Sequence, residues 1–233
     1  MRMFRLGAPA CALVAGLALA ACGLTSGSGK SGGGNTSAKL MPQVAAAARS
    51  ATSVHVTGNV TEGSQTVTMD VSFKGSSLAG TIGLNGASFY VLSVDGKTYI
   101  KLNAAFLQQI AKAPASVCAT ICGKYVEVPG ASASQITGSM SMQQLVSQVF
   151  SNKNISSAAS SGCVFSPATL NGRRVLQCHQ APYTVDVAAH GKPYLLNITG
   201  PNGEHIAFSD WNAVTLPPPP RPRRVISLPN LGG

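Results

Sequence analysis

From Thr66 to Phe73 apolar and polar residues alternate without a slip. Val67, Met69, Val71 and Phe73 fall on one side of an extended chain, and Thr66, Thr68, Asp70 and Ser72 fall on the other. Alternation with a period of two sets one face of a strand against a core and the other toward water. The same rhythm predicts strands over 54–57, 65–73, 78–84, 87–94 and 97–102. Glu62-Gly63-Ser64, Lys74-Gly75-Ser76, Asn85-Gly86 and Asp95-Gly96 stand between them. Asn-Gly and Asp-Gly accept the positive φ values that a two-residue hairpin turn requires, so these strands form an antiparallel meander.

Helical spacing breaks the rhythm three times. Residues 38–50 are Ala-rich, with Leu40, Met41 and Val44 on one side, and Pro42 is tolerable there only in a first turn. Asn103 can cap a helix over 104–113 that places Phe106, Leu107 and Ile110 together, with Pro114 ending it. Ser141 begins another, in which Met142, Leu145, Val146, Val149 and Phe150 recur three and four residues apart. A short strand is expected near 124–128, and 151–161 reads as a polar loop. Strands resume over 163–165, 173–180, 183–188, 193–199 and 204–211, parted by Asn171-Gly172, His190-Gly191 and Asn202-Gly203. The tail, 217–233, opens on four successive prolines from Pro217 and should run extended over the surface. Neither meander covers its own apolar face. The expected fold is therefore α+β, one strongly curved antiparallel sheet forming an open half-barrel around a few α-helices, over residues 38–216.

The N-terminal segment is of another kind. Arg2 and Arg5 precede an apolar run over 8–21 that holds Leu13, Val14, Leu17 and Leu19, too short for a stable membrane span. It closes on Leu19-Ala20-Ala21-Cys22, which resembles the lipobox of bacterial lipoproteins. That resemblance implies that 1–21 is a signal peptide, that Cys22 carries a diacylglycerol thioether, and that the chain is anchored on the extracytoplasmic face of the cell membrane. Cys11 leaves with the peptide. Residues 23–37 are Gly- and Ser-rich and read as a flexible tether after the lipidated residue. Gly29-Lys30-Ser31 is no phosphate loop, because the first glycine of that motif would fall at Leu24.

Taking Arg2 and Arg5 from the 17 basic residues leaves 15 against 7 acidic ones, a net charge of about +8. Basic charge on an anchored chain suits an anionic lipid surface better than nucleic acid, the competing expectation being a merely solvated surface, and Arg221, Arg223 and Arg224 form its one cluster. Besides Cys11 and Cys22, cysteines stand at Cys118, Cys122, Cys163 and Cys178. Three pairings are open, and short local closures favour Cys118–Cys122 with Cys163–Cys178. Cys-x3-Cys has no nearby histidine, so neither a metal nor a cofactor is expected. His55, His179, His190 and His205 share no motif with a Ser or Cys nucleophile, and no Gly-x-Ser-x-Gly elbow occurs. No enzyme activity is expected.

Further stretches carry a second resemblance. They are Ser50-Ala51-Thr52-Ser53-Val54-His55-Val56-Thr57-Gly58, Gly96-Lys97-Thr98-Tyr99-Ile100-Lys101, the helix from Asn103, and Phe208-Ser209-Asp210-Trp211-Asn212 before the Pro-rich end. Behind a lipobox, this order is similar to the LppX/LprG group of actinobacterial lipoproteins within the LolA/LolB-like superfamily. The likeness implies a monomeric half-barrel enclosing an apolar cavity for the acyl chains of a lipid, glycolipid or lipidated ligand, carried within the cell envelope. The candidate lining is Val67, Met69, Val71, Phe73, Ile82, Leu84, Ile100, Leu102, Phe106, Ile110, Val185 and Val187. The competing expectation is a structural or interaction lipoprotein whose core is filled and takes no ligand. One prediction concerns the anchor: Cys22→Ala should shift the protein from the membrane fraction to the medium. Retention in membranes after fractionation would remove the lipoprotein reading.

Overall fold

A computed structural model describes residues 37–150 and 163–227. Cys22, the signal segment, the tether up to residue 36 and the expected polar loop at 151–161 lie outside the described residues; Ser37, expected in the tether, is instead the buried first residue of a helix. Helix α1, Ser37–Arg49, leads into strands β1 Ser53–Glu62, β2 Gln65–Lys74, β3 Ser77–Leu84, β4 Ala87–Val94 and β5 Lys97–Leu102. A π-helical turn, Phe106–Ile110, precedes α2 Ala115–Ile121, β6 Tyr125–Glu127, α3 Gly130–Ser139 and α4 Met142–Val149. The second meander is β7 Ser166–Leu170, β8 Arg173–Gln180, β9 Tyr183–Ala188, β10 Leu195–Thr199 and β11 His205–Ser209, and β12 Val225–Ser227 follows in the tail.

All twelve strands belong to one curved, unclosed sheet in the order β12-β6-β5-β4-β3-β2-β1-β11-β10-β9-β8-β7. Every neighbouring pair is antiparallel except β12 on β6. The hairpin turns behave as their residues require. Asn85 and Gly86 have φ of 50° and 84°, Asp95 and Gly96 of 52° and 74°, and Asn171 and Gly172 of 48° and 78°. The Asn85 side chain also accepts a hydrogen bond from the Thr66 amide at 2.9 Å, tying its turn to β2. The two meanders join where β1 pairs with β11, from His55 opposite Ser209 to Asn59 opposite His205.

Opposed residues point to the same face of a sheet, so the register fixes what the concave side carries. Val54, Val56, Val71, Phe73, Leu78 and Val91 meet there, with Val187, Leu195, Ile206 and Phe208 from the second meander. Helix α1 lays Leu40, Met41, Val44, Ala45 and Ala48 on this surface, and α4 adds Met142, Leu145 and Val146 beside Phe150. Two glycines allow the bending. A Cβ on Gly80 would overlap the Asp70 carbonyl oxygen and the Val71 Cα, and one on Gly58 would overlap the His205 carbonyl oxygen. Side chains there would force the strands apart, which is the usual reason for glycine inside a strand at a sharp bend.

Several local expectations are corrected. Pro42 lies in the second turn of α1, not the first, and so deprives the Ala38 carbonyl of its amide partner. The helix expected over 104–113 is short and π-helical; Asn103 does cap it, accepting from the Phe106 amide at 2.7 Å. Pro114 does not end that helix but stands at the N-cap of α2, where a missing N–H costs nothing. Helix α3 has one large apolar side chain, Ile136, and gives no periodic signal; Ser134 and Thr137 instead return hydrogen bonds to the Gly130 and Ala133 carbonyls. The strand expected at 163–165 is displaced to Ser166–Leu170, where Pro167 is tolerated because β7 is an edge. The tail leaves its extended course to add β12 beside β6.

Both favoured disulfides are present, Cys118–Cys122 within α2 and its cap and Cys163–Cys178 from the entrance of β7 to β8. The latter spans 15 residues, a loop whose closure is worth about 3 kcal/mol by chain entropy. Replacing both cysteines by alanine should lower unfolding stability by roughly 2–4 kcal/mol in denaturant titration. Gly80→Ala should cost about 1–3 kcal/mol by overpacking, whereas Gly138→Ala, inside α3 without a positive φ and with nothing within 4 Å of its Cβ, should cost nothing or stabilise slightly. Equal losses for the two glycines would remove the bending argument.

Candidate functional site

The concave face is not covered evenly. At one end, which holds the turns at Gly75 and Gly96, helices α1 and α4 seal it: Val54, Val71, Phe73, Leu78 and Val91 are almost wholly inaccessible. That end is closed further by the segment after β11. Trp211 stacks on Tyr194 with ring centres 4.8 Å apart and donates from Nε1 to the Leu195 carbonyl at 2.9 Å. Asn212 accepts from the Thr52 amide at 2.7 Å and donates to the Tyr194 hydroxyl at 2.6 Å.

Toward the other end the same face is only half-buried. Val60, Val67, Met69, Ile82, Leu84, Phe89, Ile100 and Leu102 continue the apolar surface across β1 to β5, and Val185 and Ile198 continue it on β9 and β10. Phe106 adds an edge-on contact to Phe89, with ring centres 5.1 Å apart. Ile136, Met140 and Val149 approach from the helices. The side that alternation assigned to the core is therefore a continuous apolar trough, packed at one end and partly open at the other.

The expected lining residues divide along this gradient. Val71, Phe73 and Val187 are buried in the cluster beneath α1 and α4 and belong to packed core. Val67, Met69, Ile82, Leu84, Ile100, Leu102, Phe106 and Val185 are half-buried along the open part. Ile110 is exposed, because the π-helical turn carries it past the trough. Alternation does not distinguish the two ends, since a strand residue keeps its period wherever helices happen to lie. Sequence reading also misses a cleft of about 680 Å³ between the C-terminus of α1 and the N-terminus of α4, bordered by Ala48, Arg49, Thr52, Ser76, Met142 and Val146. None of the expected lining residues borders it.

The convex face holds a polar constellation that no motif announced. His55 Nε2 lies 2.7 Å from Asp70 Oδ1, and its Nδ1 lies 3.3 Å from Ser209 Oγ and 3.7 Å from Asp210 Oδ2. Three separate strands or strand ends supply these groups through the β2-β1-β11 register, which is why sequence spacing hides them. Asp70 can only accept, so Nε2 carries a hydrogen. In the neutral imidazole Nδ1 accepts the Ser209 hydroxyl hydrogen; in the imidazolium Nδ1 donates, and Ser209 turns to Asp210 Oδ2 at 3.3 Å. This is the order of an acid–base–hydroxyl relay, set on the convex side of the sheet with Ser209, Asp70 and Asp210 all exposed. It pins three strands together. A second polar group lies on β9: buried Asp186 accepts from Gln177 at 2.8 Å and from Asn197 at 3.1 Å, so neutral amides satisfy both of its oxygens.

Among the described residues no group of three or more His, Cys, Asp and Glu side chains is placed to hold a metal ion, and no helix is long and apolar enough to cross a membrane. The chain matches no protein-family model, and no curated protein shows significant similarity to it. The role of His55 as a strand pin can be measured. Asp70→Asn should cost no more than about 1 kcal/mol, since the carboxylate is 71% exposed. His55→Ala should suppress most of that difference in a double-mutant cycle. Independent, additive losses would show that the pair is not coupled.

Proposed function

We propose that this chain is a lipid-anchored protein of the cell envelope that holds acyl chains of a lipid or lipidated ligand in the trough of its sheet. One observation carries the reading. The apolar concave face continues beyond the part that α1 and α4 cover, through Val67, Met69, Ile82, Leu84, Ile100 and Leu102. An acyl chain gains about 0.8 kcal/mol for each methylene withdrawn from water, and needs an apolar groove with few polar groups. A curved, unclosed sheet with helices on its concave side is the arrangement expected of the LolA/LolB-like superfamily, and the lipobox ending at Cys22 agrees with an anchored member of the LppX/LprG kind. A protein of this kind works within reach of a membrane, as a monomer, with neither cofactor nor nucleic acid.

The alternative is a packed interaction lipoprotein. Val71, Phe73 and Val187 favour it, because they are already filled against by helices. The two readings part over the open end. Native mass spectrometry of protein purified from a membrane-bearing host should show bound lipid, and a fluorescent acyl probe should enter the emptied protein. Met69→Glu with Ile82→Glu should weaken probe binding at least tenfold while the fold survives, since both side chains are only half-buried. Protein that emerges lipid-free and takes up no probe would sink the carrier reading and leave the interaction reading.

A further inference from the structure

The tail does more than finish the sheet. Leu216 and Val225 pack on the convex side against Ala79, Leu92, Val94 and Tyr99, an apolar patch separate from the concave core. Tyr125 stands beside this patch, its ring 6.3 Å from those of Tyr90 and Tyr99 and capped by the Lys101 ammonium 5.1 Å from its centre. Burial, and then Tyr125, raise the Tyr90 pKa above its ordinary value, so the Tyr90 hydroxyl keeps its proton. Pairing of Val225 with Tyr125 draws the preceding turn against the platform. Pro220, Arg221, Arg224 and Tyr125 there enclose a cleft of about 310 Å³. The turn is closed by a hydrogen bond from the Arg224 amide to the Arg221 carbonyl at 2.8 Å, which sets the two guanidinium-bearing residues one turn apart.

Charge around this cleft is mainly basic among the described residues. Among the described residues the ion pairs are His55 with Asp70, His55 with Asp210, and Lys97 with Glu127. None involves Arg221, Arg223 or Arg224, which are all exposed. Glu127, the acid on β6, is engaged by Lys97 at 3.1 Å. Topology then fixes where the arginines lie. Strand β5 runs from the sealed end at Gly96 to the open end at Leu102; β6 runs back from Tyr125, and β12 runs parallel to β6. The turn before Val225 therefore lies at the open end of the trough, with Lys101 and Lys124.

We propose that the Arg221–Arg224–Tyr125 cleft binds a phosphate ester anion, of the kind that an anionic lipid headgroup presents. Two guanidinium forks suit the planar, multidentate recognition of phosphate oxygens, and an electropositive cleft without a competing carboxylate concentrates anions. The cleft would hold the trough's mouth against an anionic surface, a role that rests on the acyl-binding reading above. Its anion chemistry does not.

The test uses the full chain carrying Cys22→Ala, so that no anchor interferes. Cosedimentation with phosphatidylcholine vesicles containing phosphatidylglycerol should show binding that pure phosphatidylcholine lacks and that weakens as salt rises. Arg221→Gln with Arg224→Gln should weaken it roughly tenfold or more. Arg173→Gln with Arg174→Gln, an equal change of charge on exposed residues at the sealed end of β8, should not. Glycerol phosphate is the second arm. Competition by it places the recognition in the phosphate itself, and a lack of competition with vesicle binding still lost in the first pair places it in the membrane-presented headgroup. Both support the cleft. Equal loss in the two arginine pairs, or none in the first, overturns the proposal. Acyl-probe uptake by the Arg221/Arg224 variant, expected unchanged, separates failure of this cleft from failure of the trough.

Discussion

The structure depends on one ladder of backbone hydrogen bonds, that between β1 and β11. Each meander alone is a sheet with one greasy face and two bare edges, a state that neither buries enough surface nor protects itself from pairing with other chains. Joining them along β1 and β11 makes one sheet of twelve strands, wide enough to curl, and leaves as edges only the short β12 and the proline-bearing β7. Curvature then becomes possible where Gly58 and Gly80 lack side chains. The helices have one apolar surface to cover, and they cover it in part.

That partial cover divides the concave face into two parts. A core sealed from end to end would need no exposed aliphatic face, and the bending glycines would serve shape alone. Here α1 and α4 stop short of Val67, Met69, Ile82 and Leu102, so the same alternating pattern yields tight packing at one end and an apolar trough at the other. The convex side is treated differently. It is pinned by polar contacts around His55 and Asp186, and carries an apolar cluster where the tail crosses it.

Much of this was legible in the residues. The boundaries of β2 to β5, β8 and β9 follow from alternation and from turn residues such as Asn85-Gly86, Asp95-Gly96 and Asn171-Gly172, which take positive φ in pairs, because those signals are local. Both disulfides followed from short separations. What stayed hidden was non-local or lacked a period. Helix α3 satisfies its own hydroxyls and has only Ile136 to contribute; β7 hides behind Pro167; and β12 is a strand only because β6 lies beside it. The division of the trough was equally invisible, since Phe73 and Met69 occupy equivalent positions in one alternating run and differ only in what a distant helix covers. The Arg221 and Arg224 cleft needed the tail's return, which four prolines gave no reason to expect.

The β1–β11 ladder also imposes an order in time. His55 must wait for Ser209, so the first strand made is completed by one of the last. Chains emerge N-terminus first, and contacts so distant in sequence form late and slowly. Until residue 209 has appeared, β1 presents an unpaired outer edge to whatever is near it. The long Gly- and Asn-punctuated meander that makes the fold easy to read is thus, for most of its synthesis, a half-sheet that depends on its surroundings to leave that edge alone.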